Sequence, residues 1–140
     1  MTDLATLSAT ATLVPEASRM DFLPELFGRR LMLKGEQTVY NLMSWLSPQD
    51  YAGGLWHFHE QNGLPLFLSP ATDKRFRISC ETNGYQGEVS AEAAGIIVTL
   101  FALSHLSFQH EADILAEAYL RLCAFAGDHP EAREIFKAID

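Results

Sequence analysis

Two Asn-Gly pairs, Asn62-Gly63 and Asn83-Gly84, punctuate the middle of this chain. Asn-Gly between alternating apolar residues is the strongest short-range signal for a β-hairpin. The residues on either side alternate as strands do: Leu55 to Glu60 and Leu66 to Leu68 around the first pair, Arg75 to Cys80 and Tyr85 to Val89 around the second. The spacing predicts an antiparallel meander of about four strands. Side chains alternate along a strand, so Trp56, Phe58, Phe76, Ile78 and Cys80 share the covered face, and His57, His59, Arg75 and Arg77 point the other way.

On both sides of this block the period becomes helical. Met20 to Phe27 predicts a short helix closed by Gly28. Arg30 to Leu46 carries a stripe of Val39, Leu42, Met43 and Leu46 and stops at Ser47-Pro48. After the strands, Ser90 is placed as an N-cap with Glu92 in the first turn, where a negative charge suits the helix dipole. That helix, to Leu106, is apolar nearly all round and is therefore expected in the core. Glu111 to Ala126 is amphipathic through Ile114, Ala118, Leu122 and Phe125, and Gly127 can end it. Asp128 with Glu131 forms a capping-box pattern with Pro130 in the first turn, and the final helix is expected to bury Ile135, Phe136 and Ile139. Residues 1–17, rich in Thr, Ala and Ser, read as an edge strand or a loose arm. The expected fold is α+β, a four-stranded meander packed against several helices, and 140 residues suit a single domain over 1–140.

Charge narrows the partners. Ten basic against eighteen acidic side chains give a net charge of −8, which argues against general binding to DNA or to an anionic membrane. A mimic of DNA would need carboxylates as dense as a phosphate ladder, whereas here they are mixed with Arg30, Lys34, Lys74, Arg75, Arg77 and Arg121. Cys80 and Cys123 lie far apart, no CxxC occurs, and no secretory signal is expected at the start. Two buried free thiols in a reducing compartment follow, and the expected location is the cytoplasm. The longest apolar run, Ala93 to Leu103, is about half of a membrane span and reads as a core helix.

Motifs for chemistry are sparse. His57-x-His59 on a strand has a spacing seen at zinc sites, but no third ligand stands at a telling distance, and His105, His110 and His129 are scattered. A small metal-dependent enzyme using His57 and His59 is one alternative; a polar sheet face is the simpler reading. His129 beside Asp128 reads as part of a helix start before it reads as an acid–base pair. There is no Gly-x-Ser-x-Gly elbow, Walker loop or HExxH, and Gly53-Gly54 precedes a strand and opens no helix. No enzyme, cofactor or metal is expected. Tyr51, Trp56, Phe58 and Tyr85 gather around turns and strand ends, where they pack or, if exposed, anchor an interface.

Several stretches together resemble the ArdB/KlcA antirestriction family. They are Asp50 to Phe58 (DYAGGLWHF), Asn62-Gly63 leading to Leu68-Ser69-Pro70, Asn83-Gly84-Tyr85, Gly87 to Ile96 (GEVSAEAAGI), Leu100 to Leu103, and His129-Pro130-Glu131-Ala132 through Ile135 to Asp140. Leu13-Val14-Pro15 and Phe22-Leu23-Pro24 add to them, so the resemblance spans nearly the whole chain. It departs at Leu64-Pro65, where Gly and an aromatic are expected, and at His59, where an aromatic is common. The resemblance implies inhibition of type I restriction enzymes, protecting incoming mobile-element DNA, and offers no catalytic residues to carry over. The partner it implies is a type I restriction-modification enzyme or an associated host factor, reached by protein contacts with no direct DNA binding and no membrane. A DNA-mimic inhibitor of the same enzymes is the other alternative. Tyr51, Asn83, Tyr85, Glu88 and Asp140, in the most family-like stretches, are the expected partner-binding residues.

Overall fold

The computed structural model describes residues 10–140. The expected arm or edge strand enters them as β1, Thr12–Leu13; its earlier part, residues 1–9, lies outside the described residues. A 3-10 turn at Glu16–Ser18 leads into α1, Arg19–Phe27, and then α2, Met32–Leu46. Four strands follow, β2 (Trp56–Gln61), β3 (Leu64–Pro70), β4 (Phe76–Cys80) and β5 (Tyr85–Val89). Three helices end the chain, α3 (Ala91–Gln109), α4 (Asp113–Gly127) and α5 (Ala132–Ile139). The α+β class and the four middle strands match the sequence reading.

The strands divide, however, into two sheets. β1, β2 and β3 form one and β4 with β5 the other, all antiparallel. A continuous meander would need β3 to pair with β4, but several backbone groups of those strands are taken by side chains instead. Leu68 N donates to Thr99 Oγ1 of α3 at 3.2 Å, and Arg121 Nε of α4 donates to Pro65 O at 3.1 Å. On β4, Arg77 N donates to Asp50 Oδ2 at 2.8 Å. Side chains thus satisfy backbone groups that a neighbouring strand would otherwise use, and blunt the edges as they do so.

The β2–β3 hairpin is covered on both faces. On one, Phe58 stacks on Phe22 of α1 with ring centroids 4.5 Å apart, and the Arg19 guanidinium lies 4.2 Å over the Phe58 ring. On the other, His59 stacks on Phe67 at 4.2 Å, and Phe67 meets Phe125 of α4. His59 is consequently buried, 8% exposed, and does not sit on an open polar face. Alternation assigned it correctly to the face opposite Phe58; what alternation does not carry is whether a helix covers that face. Arg77 remains exposed as expected, because among the described residues no element packs over the outer face of β4–β5.

α3 is the centre of the core. Twelve of its nineteen residues are buried, and its Ser90 cap accepts a hydrogen bond from Ala93 N at 3.1 Å, as the sequence indicated. By length and composition this helix is apolar enough to cross a membrane, well beyond the Ala93–Leu103 run alone, but 67% of that window is buried inside the protein. Gly95 sets its approach to β3: a Cβ there would stand 2.2 Å from Leu68 O, so only a glycine lets the helix lie against the strand backbone.

Two further expectations change at the end of the chain. Asp128 caps the C-terminus of α4, and α5 begins at Ala132 with no side-chain cap, so the Asp128–Glu131 capping box does not form. In α5 the buried residues are Ile135 and Ala138; Ile139 is half-buried and Phe136 is 36% exposed. The helix sits on α3 and β5 through the Ile135–Ala138 line, which turns the Phe136 ring away from the core.

Candidate functional site

The second hairpin meets α5 at a polar junction built from three of the five residues expected to bind a partner. Asn83, in the turn, accepts from Tyr85 N through Oδ1 at 2.9 Å. Its Nδ2 donates to Ala138 O at 2.8 Å and to Asp140 O at 3.2 Å. One amide thus shapes the turn and satisfies carbonyls at the C-terminal end of α5, which have no partner inside the helix. Tyr85 crosses to the same helix and donates its hydroxyl to Glu134 Oε1 at 2.7 Å. Gly87 makes that crossing possible, since a Cβ there would stand 2.2 Å from the Tyr85 hydroxyl oxygen. Burial first, and then the hydrogen bond to Glu134, push the Tyr85 phenol above its ordinary pKa.

The other two expected residues lie apart from this junction. Glu88 is exposed on the outer face of β5 and pairs with Arg75 Nε at 2.9 Å, both side chains more than half exposed. Tyr51 is half-buried below β2, where its hydroxyl accepts from Trp56 Nε1 at 3.2 Å and its ring meets Trp56 edge-on. Between them stands Asp50, whose side chain is only 11% exposed. It receives the backbone N–H of Arg77 and, side-on, its Nε and Nη2 at 2.8–2.9 Å. Those hydrogen bonds hold its carboxyl well below the usual carboxylate range.

A second polar group, at the N-terminal end of α3, was not foreseen as a unit. Glu131 accepts from both Ser90 N, at 3.0 Å, and Ser90 Oγ, so a carboxylate from the α4–α5 link closes the start of α3. His129, with its side chain 6% exposed, pairs through Nε2 with Glu92 Oε2 at 2.7 Å, and its Nδ1 accepts from Glu131 N at 3.0 Å. Because Nδ1 is an acceptor, the proton of the neutral ring sits on Nε2 and points at Glu92. His129 therefore pairs with Glu92 of α3 and not with its neighbour Asp128. The hydrogen bond from His129 lowers the pKa of Glu92.

On the far side of Glu92, His59 Nε2 lies 2.7 Å from Ser69 Oγ. A serine–imidazole contact invites a nucleophile–base reading, but Ser69 is 3% exposed, and burial pushes His59 down to about 4. A base that weak is a poor activator at neutral pH. The pair serves instead to satisfy two polar side chains on a covered strand face. The His57 and His59 rings stand perpendicular at 6.2 Å, and among the described residues no three His, Cys, Asp or Glu side chains converge to hold a metal ion. Glu92, Glu131 and Glu134 each sit on the polar side of a helix or link, and nothing in local spacing marks which strand or cap such a carboxylate will meet.

Residues 49–140 match the sequence family described as Antirestriction protein. Over 137 residues the chain is 44% identical to Antirestriction protein KlcA of Escherichia coli, covering 94% of each. It is 35% identical to Putative antirestriction protein YubI of Escherichia coli (strain K12), covering 91% of this chain and 93% of the relative. Among solved structures it is similar to one from work on KlcA and ArdB, with a TM-score of 0.83, 45% identity and 94% of each chain covered. That work describes a novel fold and antirestriction activity against type I DNA restriction systems in vivo but not in vitro.

Proposed function

We propose, since the chain belongs to the antirestriction protein family, that it protects incoming DNA by inhibiting type I restriction through protein contacts in the cytoplasm, without imitating DNA. Full-length similarity to proteins with that activity is the observation that carries this reading. The carboxylates support the contact mechanism. Asp50, Glu88, Glu92, Glu131 and Glu134 are engaged by Arg77, Arg75, His129, Ser90 and Tyr85 of the same chain, so they do not form a free row of charge such as a phosphate ladder presents. Activity of the KlcA and ArdB proteins in vivo but not in vitro fits an inhibitor that acts through a host factor as well as one that meets the restriction enzyme itself.

The contact surface of this reading includes the hairpin–α5 junction. Asn83 and Tyr85 fix its shape and Asp140 presents charge at it, while Glu88 adds a carboxylate on the outer face of β5 and Tyr51 supports the strand that starts the first hairpin. The experiment is plating of unmodified phage on a host with a type I system, with and without this protein. Plating should rise with the protein present, while modification continues. Equal plating at confirmed soluble expression overturns the function. Stoichiometric, salt-sensitive block of DNA binding by the purified enzyme would instead establish the DNA-mimic alternative.

A further inference from the structure

Phe136 is the one large aromatic of α5, and its ring is outside the core. It lies on a groove of about 620 Å³ along the seam between α4 and α5. The floor is apolar: Tyr119 and Cys123, one turn apart on α4, and Ile139 of α5 are half-buried and packed against the core. The rim is cationic. Arg133 and Lys137 are exposed and stand four residues apart on α5, which places them on one side of the helix with Phe136 between them in sequence.

They are two of the four Lys and Arg side chains in this chain left unpaired among the described residues. Of its ten Lys and Arg side chains, six make hydrogen bonds or ion pairs within the fold: Arg19 to Trp56 O, Lys34 to His110, Lys74 to Asp50 O, Arg75 to Glu88, Arg77 to Asp50 and Arg121 to Pro65 O. Arg133 and Lys137 have no such partner among the described residues. The other free pair, Arg29-Arg30, borders a smaller cavity of about 180 Å³ next to Glu111 and lacks an exposed aromatic. In a protein of net charge −8, two cations thus stand unpaired beside a partly exposed aromatic, in a groove whose lining also includes Asp140.

We infer that the α4–α5 groove is a docking site for an acidic amphipathic segment of a partner protein. The segment's apolar face lies over Phe136, Tyr119 and Ile139, and its carboxylates meet Arg133 and Lys137. This is helix-in-groove recognition, with charge complementarity setting partner choice and orientation. Nucleic acid fits less well, because two cations neutralise few phosphates and the floor beside them is apolar. The inference adds the partner's chemistry to the protein-contact reading above, but its test reads binding and never plating, so either can fail alone.

The test is fluorescence anisotropy with the full chain and three labelled probes. One is a synthetic amphipathic peptide of about 18 residues, long enough for helix, with Leu and Phe on one face and Glu on the other. The second replaces each Glu by Lys, and the third is a short oligothymidylate. The acidic peptide alone should bind. Arg133→Glu with Lys137→Glu should weaken it by at least about tenfold, as loss and reversal of two rim charges requires. Phe136→Ala should weaken it too, and Lys137→Glu alone, at an exposed position, guards against misfolding in either. The inference is overturned by any of four results: no binding of the acidic peptide, equal binding of the Lys peptide or the oligothymidylate, indifference to the charge reversals in proteins that melt like the parent, or self-association through this groove in sedimentation.

Discussion

The two Asn-Gly hairpins share a turn dipeptide and little else. β2–β3 lies between helices, with Phe58 against Phe22 on one face and Phe67 against Phe125 on the other. β4–β5 buries one face through Phe76, Ile78 and Cys80, and leaves Arg77, Ser79, Gln86 and Glu88 in solvent. The first is fixed by packing. The second is fixed on its inner face by packing and at its turn by hydrogen bonds to α5, through Asn83 and Tyr85. The difference teaches where substitution will be felt: as stability in the first hairpin, and as altered surface in the second.

The sharpest contrast comes from Phe67→Ala. Removing a fully buried ring that touches both His59 and Phe125 should cost about 3–5 kcal/mol, read by denaturant unfolding. A cost under about 1 kcal/mol would mean that packing does not fix the first hairpin.

The pH dependence of the same hairpin comes next. Burial holds His59 near 4 in the folded protein, below its ordinary value of 6.5. The unfolded chain therefore binds the proton first as pH falls. The stability tied to a neutral His59 is present above 6.5, declines between 6.5 and about 4, and is lost below that. The full effect is about 3 kcal/mol at most. His59→Gln should flatten this part of the stability–pH curve; an unchanged slope would show that other groups set it.

Smaller effects belong to the second hairpin. Tyr85→Phe removes the hydroxyl from Glu134, and Gly87→Ala pushes that hydroxyl away from it. Each should cost about 1 kcal/mol. Because both act on one contact, the double variant should cost clearly less than the sum, and strict additivity in melts would separate the two roles. Smallest of all, Glu88→Ala breaks an exposed pair with Arg75 and should change stability by less than about 1 kcal/mol. Lost antirestriction in that well-folded variant would mark Glu88 as a contact; full activity would remove it from the surface.

What the sequence determined by itself is local. Ser90 caps α3, Gly28 and Ser47 end the first two helices, and both Asn-Gly pairs close hairpins where alternation put them, because a cap or a turn depends on a few neighbouring residues. The family was legible too, since the matching stretches run through most of the chain. Which surfaces meet was decided only by the tertiary structure. The burial of His59, the exposure of Phe136, the division of the strands into two sheets and the use of Glu131 on Ser90 in place of its own helix all depend on residues distant in sequence. Period assigns a side chain to a face, whereas burial depends on what packs against that face.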